Sequence, residues 1–402
     1  MMPTRSIIFA GLLVFAMGQT ILFALLGPVA RDMGLQEWQV GAIISASAVV
    51  FVIVSPFWGR LVDVWGRKAV IVAGLAGYAA ATLLFAAILE AGLRGLFGGT
   101  LIFAALVGSR LLYALASGGI QPAGVALMAD LTDESGRSAG MAMVGAAFGL
   151  GSVLGPAVAA ALVLFGVLVP LILAAALAIV LAIAVTAFVE NPPRRSASVA
   201  TIPDAKASLP AIAPFLLLAL LTFIAISALQ QTAAFYIQDF TGSGTAEAAQ
   251  QAGYAFMALA AAMLVVQGLA VQVWKPSPDL MLGAGFPIAA FGTLVYLVAP
   301  SLPLIILGFA LMGTGFGLVQ PGLVSIVSLR ASAETQGAAA GYVQSAMAGG
   351  FVVGPLAGTA IYALSPSAPL LLALACVLLA FLGFLAIVRR QRLQAIPRTP
   401  AQ

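Results

Sequence analysis

Arg110, Tyr113, Ser117 and Gln121 follow one another at intervals of three, four and four residues in an apolar stretch. This spacing places a guanidinium, a phenol, a hydroxyl and an amide on one stripe of a single helix. Such groups bind by charge and hydrogen bonding. On a second stretch Ser227, Gln231, Phe235 and Gln238 share a face, with Gln230, Thr232 and Tyr236 beside it, and Gln19, Thr20, Gln267, Gln320 and Gln344 add neutral polar groups. Amides suit a neutral, oxygen-rich ligand, and Phe23, Tyr113, Phe235, Tyr236, Tyr254, Phe256 and Tyr342 are candidates for its apolar part. Together they describe a large, mostly neutral cavity with one positive locus, suited to amphipathic or anionic molecules rather than lipophilic cations. Covalent and metal chemistry has no comparable support. Histidine is absent, Cys376 is the single cysteine and lies in an apolar run, and no carboxylates are paired. Enzyme activity, a metal site, a disulfide framework and a bound cofactor are therefore not expected.

The elements that position these residues must cross a membrane. The chain is 62% hydrophobic and 7% charged, against roughly 25% charged residues in soluble domains. Twelve segments approach the ~20 apolar residues a helix needs to cross a bilayer. They are 7–28, 39–60, 69–89, 98–122, 138–162, 165–188, 211–237, 248–272, 280–299, 301–327, 336–363 and 367–388, numbered here as spans one to twelve. Barrel strands would alternate over short segments, and no such pattern occurs. The first apolar stretch is too long for a signal peptide and reads as span one. With both termini in the cytoplasm, fourteen of the seventeen basic residues fall in inside loops, which sets the orientation. The net charge of +4 thus reports topology, and no nucleic-acid partner is implied. Residues 190–210, with Pro192 and Pro193, read as a cytoplasmic linker between bundles 1–189 and 211–402.

A duplication supports that division. Gly118, Gln121, Pro122, Gly151, Gly155 and Pro156 recur 199 positions later as Gly317, Gln320, Pro321, Gly350, Gly354 and Pro355. Gly59, Val62, Val64, Trp65 and Gly74 recur 209 positions later as Gly268, Val271, Val273, Trp274 and Gly283. The architecture expected is an all-α membrane protein with twelve helices in two pseudo-symmetric six-helix bundles. Repeats of this kind place a solute site between two halves that rock.

After span two, Gly59-Arg60-Leu61-Val62-Asp63-Val64-Trp65-Gly66-Arg67-Lys68 resembles the signature loop of the major facilitator superfamily. Gly59 and Gly66 would permit a tight turn. Asp63 is expected to accept a hydrogen bond or sit at a helix N-terminus, with Arg67 and Lys68 at the anionic inner leaflet. Gly145, Gly149, Gly151, Gly155 and Pro156 in span five resemble the glycine-proline motif of that superfamily's drug:proton antiporter branch. Small residues let helices meet closely, and Pro156 allows a bend. Arg110 matches the arginine of the branch's span-four pattern, although Tyr113, Ala114 and Ala116 replace its other members. The resemblance implies the major facilitator fold in the bacterial inner membrane and export of a small organic molecule by alternating access. It also implies a monomer whose partners are substrate, lipid and protons.

One departure concerns the coupling ion. Asp32, Glu37, Glu90, Asp239 and Glu247 map to outside ends and the other eight acids to inside ends, whereas span one carries Gln19 and Thr20 where many relatives have a carboxylate. Proton exchange would then fall to Asp32 or Asp239, with Arg110 as a tuning charge. Alternative functions are transport of a siderophore or sugar-like solute in either direction, and a non-transporting sensor on the same fold.

Overall fold

The computed structural model describes residues 2–132, 137–190, 209–332 and 335–395, and among them the regular structure is helical throughout. Residues 191–208, most of the expected linker, lie outside the described residues. Twelve helices are long and apolar enough to cross a membrane: Thr4–Asp32, Glu37–Trp65, Arg67–Leu93, Gly99–Asp130, Gly140–Phe165, Val169–Phe188, Leu209–Thr241, Thr245–Trp274, Pro278–Val298, Leu302–Arg330, Ala338–Tyr362 and Ala368–Gln391. Each corresponds to one expected span, and many run further at one or both ends. Hydropathy marks the part that crosses hydrocarbon, whereas the hydrogen-bonded helix continues until a residue ends it.

The ends of spans two and eight show what ends them. Span two stops at Gly66, whose φ of 93° suits a residue without a Cβ and whose amide closes on the Val62 carbonyl at 3.1 Å. Span eight ends in a π-helical stretch, Val266–Trp274, followed by Lys275 at φ 48°. Lys275 is the one non-glycine residue with positive φ among the described residues, and it stands 209 positions after Gly66. Both repeats thus turn at the same place, one through glycine and the other through a strained lysine.

Span four is built from two helical pieces, Gly99–Ser117 and Ile120–Asp130. At the junction the Trp58 indole lies so close to Gly118 and Gly119 that a Cβ on either would meet it at 2.9 and 2.6 Å. Trp58 Nε1 also donates to the Leu115 carbonyl at 2.8 Å, so the break leaves that acceptor satisfied. Pro122, which lacks an amide, follows directly.

The duplicated glycines pack in duplicated ways. A Cβ at Gly151 would meet the Leu13 carbonyl of span one at 2.6 Å, and one at Gly350 would meet the Phe223 backbone of span seven at 2.7 Å. Gly118 rests on Val54 and Trp58 of span two, and Gly317 rests on Met263 and Val266 of span eight. Met263 is Val54 shifted by the same 209 residues. Close helix approach through small residues is the main packing device available in lipid.

Packing groups Met1–Val199, Ala228–Ala260 and Pro355–Pro369 into one compact unit. Ala200–Ser227, Ala261–Gly354 and Leu370–Gln402 form a second. The expected boundary at the linker follows the duplication. The packing boundary instead cuts spans seven, eight and eleven, because span seven beyond Ser227, span eight up to Ala260 and span eleven beyond Gly354 lie on spans one, two and five. In the second unit spans nine and ten pack through glycines. A Cβ at Gly292 would meet the Gly308 carbonyl at 2.8 Å, and one at Gly315 the Gly285 carbonyl at 2.6 Å.

Candidate functional site

The first unit carries a charged bracket where spans one, two, seven and eleven end together. Arg31, in the last turn of span one, donates through Nη1 to Asp239 Oδ1 at 2.5 Å and through Nη2 to Asp239 Oδ2 at 3.0 Å. Its Nε and Nη2 also reach Glu37 Oε1 at 3.2 and 2.9 Å, and Nη1 reaches Gln238 Oε1 at 3.3 Å. Tyr362 of span eleven donates to Asp239 Oδ2 at 2.7 Å. The guanidinium carbon lies 4.7 Å from the Phe235 ring centroid and 5.8 Å from that of Tyr362. Two carboxylates and two aromatic faces thus enclose one cation. The planar fork of arginine matches a carboxylate in two parallel bonds. A lone, partly exposed ion pair contributes about 0.2–1 kcal/mol, and a bidentate network contributes more. Beside it, Thr245 of span eight donates to Asp32 at 2.6 Å.

Arg31, Glu37 and Tyr362 were not singled out from sequence. The available signal was a pair of opposite charges, Arg31 and Asp239, 208 residues apart and so at nearly equivalent places in the two repeats. Arg110 was expected to tune Asp239. The cation bound to Asp239 is Arg31, because span one delivers its last turn directly to the end of span seven.

Below the bracket, each glycine-proline pair meets a glycine from the other repeat. A Cβ at Gly253 of span eight would meet the Pro156 carbonyl at 2.9 Å, and one at Gly41 of span two would meet the Pro355 carbonyl at 2.5 Å. Gln250 Nε2 donates to the Ala160 carbonyl at 3.0 Å beside the first contact, and Thr359 Oγ1 donates to the Pro355 carbonyl at 2.7 Å at the second. Gly155 lies against the Met17 carbonyl and Thr20, so a side chain there would clash with span one. Gly354 is buried in span eleven beside Pro355.

At the opposite end, the signature loop departs from one expectation. Asp63 sits in the last turn of span two, not at a helix N-terminus, because the helix runs on to Trp65 before Gly66 turns it. Its Oδ1 is 3.9 Å from Arg67 Nη2, while Arg67 Nε makes a 2.9 Å ion pair with Asp130 at the end of span four. Lys68 donates to the Thr186 carbonyl of span six at 2.9 Å, one of the acceptors a helix C-terminus leaves open. The two cations tie spans three, four and six together. The second repeat has Gln272, Pro276 and Leu329 in place of Asp63, Arg67 and Asp130, so the charge cluster belongs to the first repeat alone.

The span-four stripe divides at the break. Arg110, Tyr113 and Ser117 are buried within the first helical piece, and Gln121, beyond Gly119, is exposed. Arg110 Nη2 lies 3.5 Å from Ser47 Oγ, and its guanidinium carbon is 3.9 Å from the Tyr113 ring centroid. Ser117 and Ser227 are already committed: Ser117 donates to the Tyr113 carbonyl at 2.6 Å, and Ser227 Oγ bonds the Phe223 and Gly350 carbonyls at 2.6 and 3.0 Å. Phe235, expected in a cavity, is fully buried against Gly27 and serves as the floor under Arg31. Gln231 is buried with both amide atoms lacking a hydrogen bond. Gln19 and Gln320 are half-buried and Gln344 is exposed. Two shallow depressions, one including Val72, Ala182 and Thr186 and the other Leu83, Glu90 and Ile172, contain none of the residues nominated from sequence.

The model of the Major Facilitator Superfamily matches residues 8–346. The chain belongs to that superfamily. Among curated superfamily relatives, Multidrug resistance protein 2 of Bacillus subtilis is 28% identical over 177 residues, 44% of this chain and 41% of that protein. A triacylglyceride transporter of Mycolicibacterium smegmatis is 31% identical over 154 residues, 38% of this chain and 25% of that protein. The matched region thus spans well under half the length of either relative. A bacterial homologue of the human lysosomal transporter Spinster, solved in an inward-facing and occupied conformation, superposes with a TM-score of 0.74 at 14% identity. The match covers 100% of this chain and 98% of that one. The human organic anion transporter MFSD10 gives 0.64 at 22% identity, over 95% and 99%. At these identities the likeness establishes the major facilitator fold.

Proposed function

We propose that this superfamily member is a secondary transporter that exports a small amphipathic or anionic organic molecule across the bacterial inner membrane. In this reading both termini are cytoplasmic, and lobes 1–189 and 211–402, joined by 190–210, alternate between two states. The observation that carries the reading is the Arg31–Asp239–Tyr362 bracket. It joins ends of spans from both repeats through polar contacts that are reversible, which is what a gate requires. The glycine-proline contacts beneath it supply a flat, close surface on which the same ends can part. Names of the multidrug resistance relatives favour export of drug-like solutes.

Protons are the coupling ion in this reading, and Asp239 is favoured over Asp32 as their acceptor. Asp239 receives three of the bracket's hydrogen bonds, whereas Asp32 receives one from Thr245. A proton on Asp239 removes the charge that holds Arg31, so proton binding and opening are linked in this reading. The test is uptake of a fluorescent amphipath into inverted and right-side-out vesicles under an imposed pH gradient. Proton-dependent uptake confined to inverted vesicles supports export. Uptake confined to right-side-out vesicles means import, and no dependence on the gradient removes the proton.

A further inference from the structure

Arg110 differs from Arg31 in one decisive respect: nothing neutralises it. It is about 5% exposed, no carboxylate lies within ion-pair distance among the described residues, and its Nε has no hydrogen-bond partner. Its contact to Ser47 is at the outer limit of a hydrogen bond, and its face stacks on Tyr113 with Phe85 further off. A guanidinium offers five N–H donors, so most of its capacity is unused. Beside it, the hydroxyls of Tyr78 and Tyr113 are buried and make no hydrogen bond of normal geometry, with Arg110 and Ser117 flanking that of Tyr113. Thr82 lies beside Tyr78 without bonding it in normal geometry. The Tyr78 and Tyr113 rings stand 5.6 Å apart, and the Tyr78 hydroxyl lies directly over Gly18 of span one, where a Cβ would overlap it.

An unpaired cation in a membrane interior is strongly unfavourable, and unmade hydrogen bonds of buried hydroxyls each cost about 1–3 kcal/mol. One partner would satisfy all three groups: a single negative charge with several acceptor lone pairs. We propose that Arg110, Tyr78 and Tyr113 form a pocket for a monovalent anionic group, the carboxylate of the transported solute. A dianion would leave a net negative charge in the same low-dielectric place. Filling the pocket neutralises the span-two, -three and -four core, so loading and the energy of that core are linked. The inference rests on the transport reading and supplies its substrate class.

The test uses the purified full chain in neutral detergent, titrated with sodium benzoate, with uncharged benzamide, and with sodium chloride in parallel, reading thermal stability. Benzoate is expected to raise the wild-type Tm by several degrees and benzamide to leave it unchanged. The response should vanish in Arg110→Gln. In Tyr78→Phe and Tyr113→Phe, benzoate should bind roughly tenfold more weakly, while the ligand-free Tm stays level or rises because an orphaned hydroxyl has gone. A response to chloride as well as benzoate identifies an inorganic-anion pocket, and one to benzoate alone a carboxylate pocket; either upholds the site. Equal stabilisation by benzamide, or a benzoate response surviving in Arg110→Gln, overturns it. So does a fall in ligand-free Tm of the phenylalanine variants with unchanged benzoate affinity. If Arg110→Gln fails to fold, those two variants decide. Dye transport in vesicles that persists without any benzoate response removes the pocket and leaves the carrier reading. The converse removes the carrier reading and leaves the pocket.

Discussion

Two arginines near opposite fates show how company decides the work of a residue. Arg31 is wrapped by Asp239, Glu37, Phe235 and Tyr362, and Arg110 by aromatic faces and hydroxyls. Asp239→Asn keeps the shape of the acceptor and removes its charge, so the bracket should hold with less strength. The expected result is transport that no longer responds to an imposed proton gradient and turns over at least about tenfold more slowly, read from initial rates in vesicles with and without the gradient. Tyr362→Phe removes one hydrogen bond to the same carboxylate and should act in the same direction with a smaller effect. Sequence reading reached Arg110 because an ionisable residue deep in a span is conspicuous. It passed over Arg31 because a basic residue at a span end looks like any solvated terminus, and the partners that give it meaning are 208 residues away.

At the scale of elements, the design is helices brought close by residues without side chains. Gly253→Val would place two methyl groups against the Pro156 carbonyl, where a Cβ alone already comes within 2.9 Å. The span-eight end should be driven off span five, with transport lost while the protein still reaches the membrane; fluorescence of a tagged variant reports the second point and vesicle uptake the first. Lys275→Gly relieves a left-handed residue and should raise stability by about 1 kcal/mol, measured as a higher Tm. The twelve spans and the duplication were legible because apolar length and recurring Gly-Pro pairs are properties of the chain itself. Less legible was the interruption of span four at Gly118–Gly119, which depends on Trp58 arriving from span two and which separates Gln121 from the stripe of Arg110. Ser227 likewise looked available for a ligand, but its hydroxyl is spent on the Gly350 carbonyl of span eleven. The position of Asp63 inside a helix end was hidden because hydropathy falls before the helix does.

For the whole molecule, membership of the superfamily and twelve spans are established, and the proposed cycle adds one mechanical claim. The ends of spans one and eight, joined by Asp32 and Thr245, must separate during each turnover. Cys376 is the single native cysteine and is buried, so a pair introduced as Asp32→Cys with Thr245→Cys can be linked selectively by a short, reducible bis-thiol reagent. The decisive measurement is vesicle transport by this variant before linking, after linking and after reduction. Transport that stops on linking and returns on reduction is the expected result; full transport with the two ends held together would contradict the account.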